Sequence, residues 1–258
     1  MTADLSKISS SGNFGAFHNK NPRLAKLVSS LVPKPTTNNR DDWVLLVAHS
    51  AIWTAGLELY GGFVRDYVLR NVSANDIDTL VPDGININAA SNLLSQALGK
   101  YKIVCQPITQ KGRAQCMAVS FPGGSGVEID FTPASLKATS PFVDADINNF
   151  KVNKSGLVQK VKGAGGTLCN LDIAINHCLN QQFVFFYRIP SNTNAATDKE
   201  QFDMCFRRLR KMMSKGFTCI SPLNSRITNQ LSQYKALIKP DPKYDVPFHN
   251  LPLQFQSA

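Results

Sequence analysis

Paired glycines and paired aspartates stand close together in the stretch 61–78. Gly61 and Gly62 follow a short apolar run and precede a pattern that predicts an amphipathic helix. Glycine permits a positive φ and a close approach of backbone N–H groups, and a helix N-terminus attracts anions. Asp76 and Asp78 alternate with Ile77, so both carboxylates project from one face of a strand. Adjacent carboxylates favour a hard cation such as Mg²⁺, and a phosphate-binding turn beside such a cation suits a nucleoside triphosphate.

These residues belong to a longer pattern, which reads Gly61-Gly62-x-Val64-Arg65-Asp66-x-x-Leu69 followed by Asp76-x-Asp78. The pattern resembles the head-domain signature of the class II RNA nucleotidyltransferases, which are the tRNA CCA-adding enzymes and bacterial-type poly(A) polymerases of the polymerase-beta-like superfamily. The resemblance implies an α+β fold, with a mixed-sheet nucleotidyltransferase head followed by a small helical neck. It also implies transfer of nucleotides from an NTP, ATP or CTP foremost, to an RNA 3′ end, with Mg²⁺ or Mn²⁺ as cofactor.

A third carboxylate is expected on a strand predicted over 127–132, where Glu128 and Asp130 share one face. Polymerase-beta-like folds place a metal-binding carboxylate at this point of the chain. Glu128 has the better spacing to Pro133 and resembles the glutamate of the family pattern, and Asp130 is the alternative. The resemblance therefore implies a metal site built from Asp76, Asp78 and Glu128, with Asp130 as a further candidate ligand.

The same resemblance assigns roles to the glycine turn. Gly61 and Gly62 would hold the β- and γ-phosphates with backbone N–H groups, and Arg65 would neutralise charge as pyrophosphate leaves. Asp66 is expected to brace Arg65 or the helix rather than to bind metal.

Two further motifs in the second half match the family in part. The segment 170–176 resembles Arg-Arg-Asp-Phe-Thr-Ile-Asn, which positions the nucleotide sugar and phosphates, and it retains Asp172 and Asn176 but carries Asn170 and Leu171 in place of both arginines. The segment 203–210 resembles Glu-Asp-x-x-Arg-x-Leu-Arg, whose acid and arginine read the incoming base.

In the second of these motifs, Arg207 and Arg210 match the arginines and Asp203 replaces the glutamate. Met204 stands where the family has the aspartate, so the base-reading acid is altered. The resemblance therefore predicts that Asp203, Arg207 and Arg210 bind the nucleotide with a looser choice of base.

The charge of the chain is distributed unevenly. The formal net charge is +10, of which residues 1–150 carry +1 and residues 151–258 carry +9. A basic second half suits a polyanionic partner such as RNA.

No apolar run is long enough to span a bilayer, and the six scattered cysteines form no CxxC pair, which favours a reducing compartment. We therefore expect a cytoplasmic protein without a membrane partner, with organelle targeting, oligomerisation or a partner subunit left open.

Periodicity divides the chain into four expected segments: a mobile N-terminal segment over 1–40, the catalytic head over 41–140, a mostly helical basic neck over 141–239 and an extended tail over 240–258. Helices are predicted over 22–32, 41–53, 88–98, 171–179, 197–216 and 225–239, and strands over 102–107, 115–121 and 127–132. Residues 134–167 are predicted to be irregular, with a hinge at 163–166.

Two other functions compete with RNA extension. The acceptor of the nucleotide could be a protein or a small molecule, as in other polymerase-beta-like transferases. Alternatively, the head could be inactive and serve as an RNA-binding or assembly module. The intact Asp76-x-Asp78 pair argues against the inactive module, because mutually repelling carboxylates serve no purpose in a protein that only binds.

Overall fold

The computed structural model describes residues 21–36, 39–111, 114–134, 144–160, 170–186 and 207–220. Two compact units divide the chain: Met1–Pro141 with Asn148–Lys162, and Phe142–Ile147 with Gly163–Ala258. Residues 1–20 of the expected N-terminal segment, the hinge at 163–166, the helix over 225–239 and the tail lie outside the described residues, as does Asp203.

The first unit is built on one mixed sheet, and its fold is α+β as expected. In chain order its strands are β1 (Glu58–Tyr60), β2 (Asp76–Val81), β3 (Val104–Cys105), β4 (Thr109–Lys111), β5 (Ala114–Ser120), β6 (Gly126–Pro133), β7 (Phe150–Asn153) and β8 (Gly156–Gln159). The order across the sheet is β3-β5-β6-β2-β1-β7-β8, and β4 pairs with β5. The pair β2–β6 is parallel, whereas the other pairs of this sheet are antiparallel.

Within the described part of this unit, three α-helices accompany the sheet: α1 (Pro22–Val28), α2 (Arg40–Trp53) and α3 (Ile87–Gly99). Helix α2 begins where Asn39 accepts a hydrogen bond from the backbone N–H of Asp41, and two aspartates occupy its first turn, where the helix dipole favours them. Every residue from Trp43 to Ile52 is buried. A helix that is buried on all sides belongs to a core, and α2 packs against β1, α1 and α3.

A π-helix, Phe63–Leu69, takes the place of the amphipathic helix expected after the glycines. Six of its seven residues are buried, with Asp66 as the exception. The expectation of a polar outer face was wrong, because this segment contacts β1, β2 and β7 rather than presenting one side to solvent.

The expectation of irregular structure over 134–167 was also wrong, because β7 and β8 form an antiparallel hairpin within this range. Phe150 and Val152 are fully buried and alternate with half-buried residues, and Gly156 has a φ of 118° that lets the chain turn back. Strand β7 pairs with β1. The period-two pattern is only four residues long, which makes it weak in the sequence.

The second unit contains helix α4 (Leu171–Leu179), helix α5 over 207–214 and two short parallel strands, β9 (Gln182–Phe183) and β10 (Thr218–Cys219). Helix α4 has the predicted range, and α5 lies within the helix predicted over 197–216, of which residues 197–206 are outside the described residues. The buried face of α4 consists of Ala174, Ile175 and Cys178, whereas Leu179 is 44% exposed. Among the described helices of the whole chain, none has the length and hydropathy needed to cross a bilayer.

Candidate active site

The glycine turn connects β1 to the π-helix. Gly61 has a φ of 61°, a left-handed conformation that strains any residue with a Cβ atom. Gly62 has an ordinary helical conformation, so a different constraint acts there. A Cβ built on Gly62 would lie 3.3 Å from Asp78 Oδ2, and one built on Gly61 would lie 3.4 Å from the same oxygen. Both glycines therefore allow the Asp78 carboxylate to approach the backbone.

A hydrogen bond links the glycine turn directly to the Asp78 carboxylate. The backbone N–H of Phe63, the first residue of the π-helix, donates to Asp78 Oδ2 at 3.1 Å. The turn thus orients one of the two predicted metal ligands by its own backbone. This contact joins the two halves of the sequence motif, the glycines and the aspartate pair.

Four carboxylates lie on one face of the parallel pair β2–β6. In this pair Asp76 faces Glu128 and Asp78 faces Asp130, and residues in register on neighbouring strands point to the same side of a sheet. The intervening Ile77 and Ile129 are completely buried on the other face. Asp76 is exposed, while the other three carboxylates are half-buried.

Ligand distances divide the four carboxylates into two overlapping groups. Carboxylate oxygens of Asp76, Asp78 and Asp130 all lie within 4.8 Å of one another. Glu128 belongs to a second group, in which its oxygen, an oxygen of Asp130 and the sulfur of Cys116 are equally close. Asp130 is the residue common to both groups. Its Oδ1 atom is buried and has no hydrogen-bond partner among the described residues.

This donor set fits a divalent cation. Hard carboxylate oxygens are the preferred ligands of Mg²⁺ and Mn²⁺. An unpaired buried carboxylate oxygen costs free energy unless a cation or a hydrogen bond satisfies it, and clustered like charges repel one another. A cation held by Asp76, Asp78 and Asp130 would relieve both penalties.

Arg65 lies beneath the glycine turn and is 3% exposed. Its guanidinium forms a two-pronged ion pair with Asp66, in which Nε donates to Oδ1 at 2.8 Å. Nη1 donates to the side-chain oxygen of Asn148. A Cβ on Gly62 would lie 3.7 Å from Arg65 Nη2, so the guanidinium packs against the turn. Asp66 braces Arg65, as the sequence predicts.

The predicted nucleotide-binding residues of the second half lie in the second unit. Asp172 and Asn176 are one turn apart on α4, which Asn170 caps by accepting from the N–H of Ile173. Asp172 is half-buried and Asn176 is exposed. Their spacing places both side chains on one helix face.

Helix α5 carries the two predicted arginines in different environments. Arg207 is exposed, whereas Arg210 is only 6% exposed. Arg210 is therefore not part of the exposed basic surface of this helix. Arg208 pairs with Asp144 at 2.9 Å.

A buried aspartate that the sequence does not indicate organises the second unit. Asp146 is fully buried, and its Oδ1 accepts from the N–H groups of Ile147 and Val184 at 2.8 and 2.9 Å. Its Oδ2 lies 2.5 Å from Nδ1 of His177 on α4. The pair therefore ties α4 to the chain segments on either side of it.

Sequence reasoning also missed Asn148 and Cys116. Asn148 is 83 residues from Arg65 along the chain, and asparagines are too common for one to indicate such a contact. Cys116 lies opposite Asp130 in the antiparallel pair β5–β6. The residues around Cys116 form no motif in the sequence, so only the register of the sheet reveals its position.

No protein-family model and no curated protein matches the sequence. Solved structures similar to it include a CCA-adding enzyme in an apo form (15% identity, 70% of this chain and 39% of that chain, TM-score 0.43). A tRNA-processing enzyme with CTP is similar at 16% identity over 70% of this chain and 43% of that one, with a TM-score of 0.41. A Thermotoga maritima CCA-adding enzyme in complex with tRNA is similar at 19% identity, with 88% and 58% covered and a TM-score of 0.39. The chain thus spans between 39% and 58% of the length of these three.

Proposed function

We propose that this chain is a divalent-metal-dependent nucleotidyltransferase that adds nucleotides from an NTP to an RNA 3′ end, in the manner of a poly(A) polymerase or a CCA-adding enzyme. The observation that supports this most directly is the convergence of the glycine turn with three carboxylates. One of them, Asp78, is hydrogen-bonded to the turn itself, and the other two lie within ligand distance of it.

In this proposal Asp76, Asp78 and Asp130 hold the catalytic cation. Asp130 is preferred to Glu128 as the third ligand because its oxygen is close to both aspartates of β2, and because its Oδ1 lacks a hydrogen-bond partner among the described residues. Bound Mg²⁺ or Mn²⁺ would lower the pKa of the attacking 3′-hydroxyl and neutralise the triphosphate. Glu128, which lies two residues before Asp130 and opposite Asp76, adds negative charge beside this set.

The glycine turn would position the triphosphate. Gly61 and Gly62 leave room for a phosphate to approach the backbone as they do for Asp78. Arg65, paired with Asp66, would act by holding the turn in shape rather than by moving to the leaving group. Preorganised groups of this kind lower a barrier because they need not rearrange during the reaction.

Residues of the second half carry the further nucleotide-binding roles in this proposal. Asp172 and Asn176 on α4 are proposed to bind the sugar and phosphates, and Arg207 and Arg210 on α5, with Asp203, to bind the base. The excess of +9 over residues 151–258 supports RNA as the acceptor, since cationic side chains neutralise backbone phosphates.

The test is nucleotide transfer by the full chain from each labelled NTP to a mixed RNA pool with Mg²⁺ or Mn²⁺. We expect Asp78→Asn to reduce transfer by about a hundredfold or more, because several kcal/mol of metal-dependent charge stabilisation is lost. Asp83→Asn, an exposed aspartate in the turn after β2, is the matched control and should retain full activity. Transfer that survives Asp78→Asn would refute the assignment of the catalytic site.

The acceptor is tested separately by RNA binding at several salt concentrations. If the chain binds single-stranded RNA, log affinity should fall by about 0.7 per log unit of salt for each phosphate contact. Exposed Lys211 reversed to glutamate should flatten that slope. A protein or small-molecule acceptor would instead give transfer without measurable RNA affinity, and an inactive binding module would give affinity without transfer.

A further inference from the structure

A second group of metal-ligand atoms adjoins the proposed catalytic carboxylates. It consists of Cys116 Sγ and carboxylate oxygens of Glu128 and Asp130, all within 4.8 Å of one another. Cys116 is directly opposite Asp130 across the pair β5–β6, and Glu128 lies two residues before Asp130 on the same strand. Three ligand atoms therefore meet on one face of the sheet because of strand register.

The group is not a solvated acidic patch. Cys116 is 2% exposed, and both carboxylates are half-buried. Asp130 Oδ1 is itself buried and has no hydrogen-bond partner among the described residues. A cation would offset the free-energy cost of a buried carboxylate oxygen without a partner, and the neighbouring sulfur determines which cation fits. Thiolate ligands favour Zn²⁺, Co²⁺ and similar cations, whereas Mg²⁺ prefers oxygen ligands alone.

We propose that Cys116, Glu128 and Asp130 form a second cation subsite that takes a thiophilic divalent cation such as Zn²⁺ or Co²⁺. The proposal rests on the proposed function to the extent that Asp130 is shared with the catalytic cation. Binding releases the thiol proton of Cys116 to solvent, because the thiolate is the metal ligand. The subsite makes the protein selective for metals in a way that a site of carboxylates alone would not be.

The experiment is a Co²⁺ titration of the metal-free full chain, read by the ultraviolet charge-transfer absorption that a cobalt–thiolate bond produces. We expect the wild type to develop this band and Cys116→Ser to lose it, with Co²⁺ affinity reduced roughly tenfold or more. Cys105→Ser is the matched control, since Cys105 lies on the neighbouring strand β3 and belongs to neither ligand group. It should retain the band.

Two further variants separate this subsite from a folding defect and from the catalytic site. Glu128→Gln keeps the thiol and should weaken Co²⁺ binding, whereas Asp76→Asn should leave the charge-transfer band unchanged. A wild type without the band, or a band that survives Cys116→Ser, overturns the proposal. These results are independent of transfer activity: Mg²⁺-dependent transfer without the band refutes only the subsite, and the band without transfer refutes only the proposed function.

Discussion

Replacing Gly62 by alanine tests whether the glycine turn and Asp78 form one unit. The backbone at Gly62 is helical, with φ −62° and ψ −37°, so alanine introduces no backbone strain. The added Cβ would lie 3.3 Å from Asp78 Oδ2 and 3.7 Å from Arg65 Nη2. The first distance is short for a carbon–oxygen contact, and the carboxylate must shift by a few tenths of an ångström.

We expect Gly62→Ala to change the stability of the protein little but to weaken metal binding. Alanine is favoured over glycine within a helix by about 1 kcal/mol, which offsets much of the crowding. We therefore expect the free energy of unfolding to change by less than about 1 kcal/mol. The metal site is more sensitive, because a shift of a few tenths of an ångström takes up much of the roughly 0.5 Å within which a ligand must be held. A roughly tenfold loss of Mn²⁺ affinity, equal to about 1.4 kcal/mol, should follow.

Gly99→Ala provides the matched control, because Gly99 closes the helix α3 and a Cβ there would meet nothing within 4 Å. Urea unfolding without metal and Mn²⁺ binding by calorimetry should be measured for both variants. Gly99→Ala should leave Mn²⁺ affinity unchanged. If Gly62→Ala also leaves it unchanged, then Asp78 does not bind the metal from the position described, and the reasoning fails.

Three further predictions concern the framework around the site. Burial lowers the pKa of His49 below its usual value of 6.5, so the unfolded chain binds this proton more readily and stability should fall as pH drops below 6.5. In urea unfolding at pH 7.5 and 5.5, His49→Gln should show a smaller decline in stability than the wild type. An equal decline would contradict this. Asn148→Ala removes a hydrogen-bond acceptor from the buried Arg65 and should lower the free energy of unfolding in urea by about 1.5–3 kcal/mol. Asn148→Asp should largely avoid this loss. A decrease under about 0.5 kcal/mol for alanine would contradict the idea that Asn148 and Arg65 support the turn. Asp146→Ala leaves the Val184 N–H without its acceptor and should lower the free energy of unfolding by about 3–5 kcal/mol, measured by heat or urea. A decrease below about 1 kcal/mol would show that the pair with His177 is dispensable.

Local features of the site were predictable from the sequence because they depend on neighbouring residues. Alternation around Ile77 places Asp76 and Asp78 on one face of β2, and the structure has that strand over Asp76–Val81. The bounds of α2 follow from its capping asparagine, its acidic first turn and the apolar run after them. Paired glycines likewise indicate a turn that needs a positive φ or a close approach, and Gly61 and Gly62 supply one instance of each.

The pairing of distant segments was decided only by the tertiary structure. The sequence favours Glu128 over Asp130 as the third ligand, but it cannot show which of the two neighbours Asp78, since both lie on the same face of β6. The parallel register sets Asp130 opposite Asp78 and Glu128 opposite Asp76, and a shift of two residues would exchange their surroundings without changing which face is buried.

The same reason explains the contacts of Asn148 and Cys116. Each contact joins segments that are distant in the sequence. Their position in the sheet is determined by the packing of the whole unit rather than by a local pattern. The sequence by itself therefore determined which residue types could bind a metal and a phosphate. The tertiary structure decided which of them share a ligand position, because side-chain distances across a sheet depend on strand register.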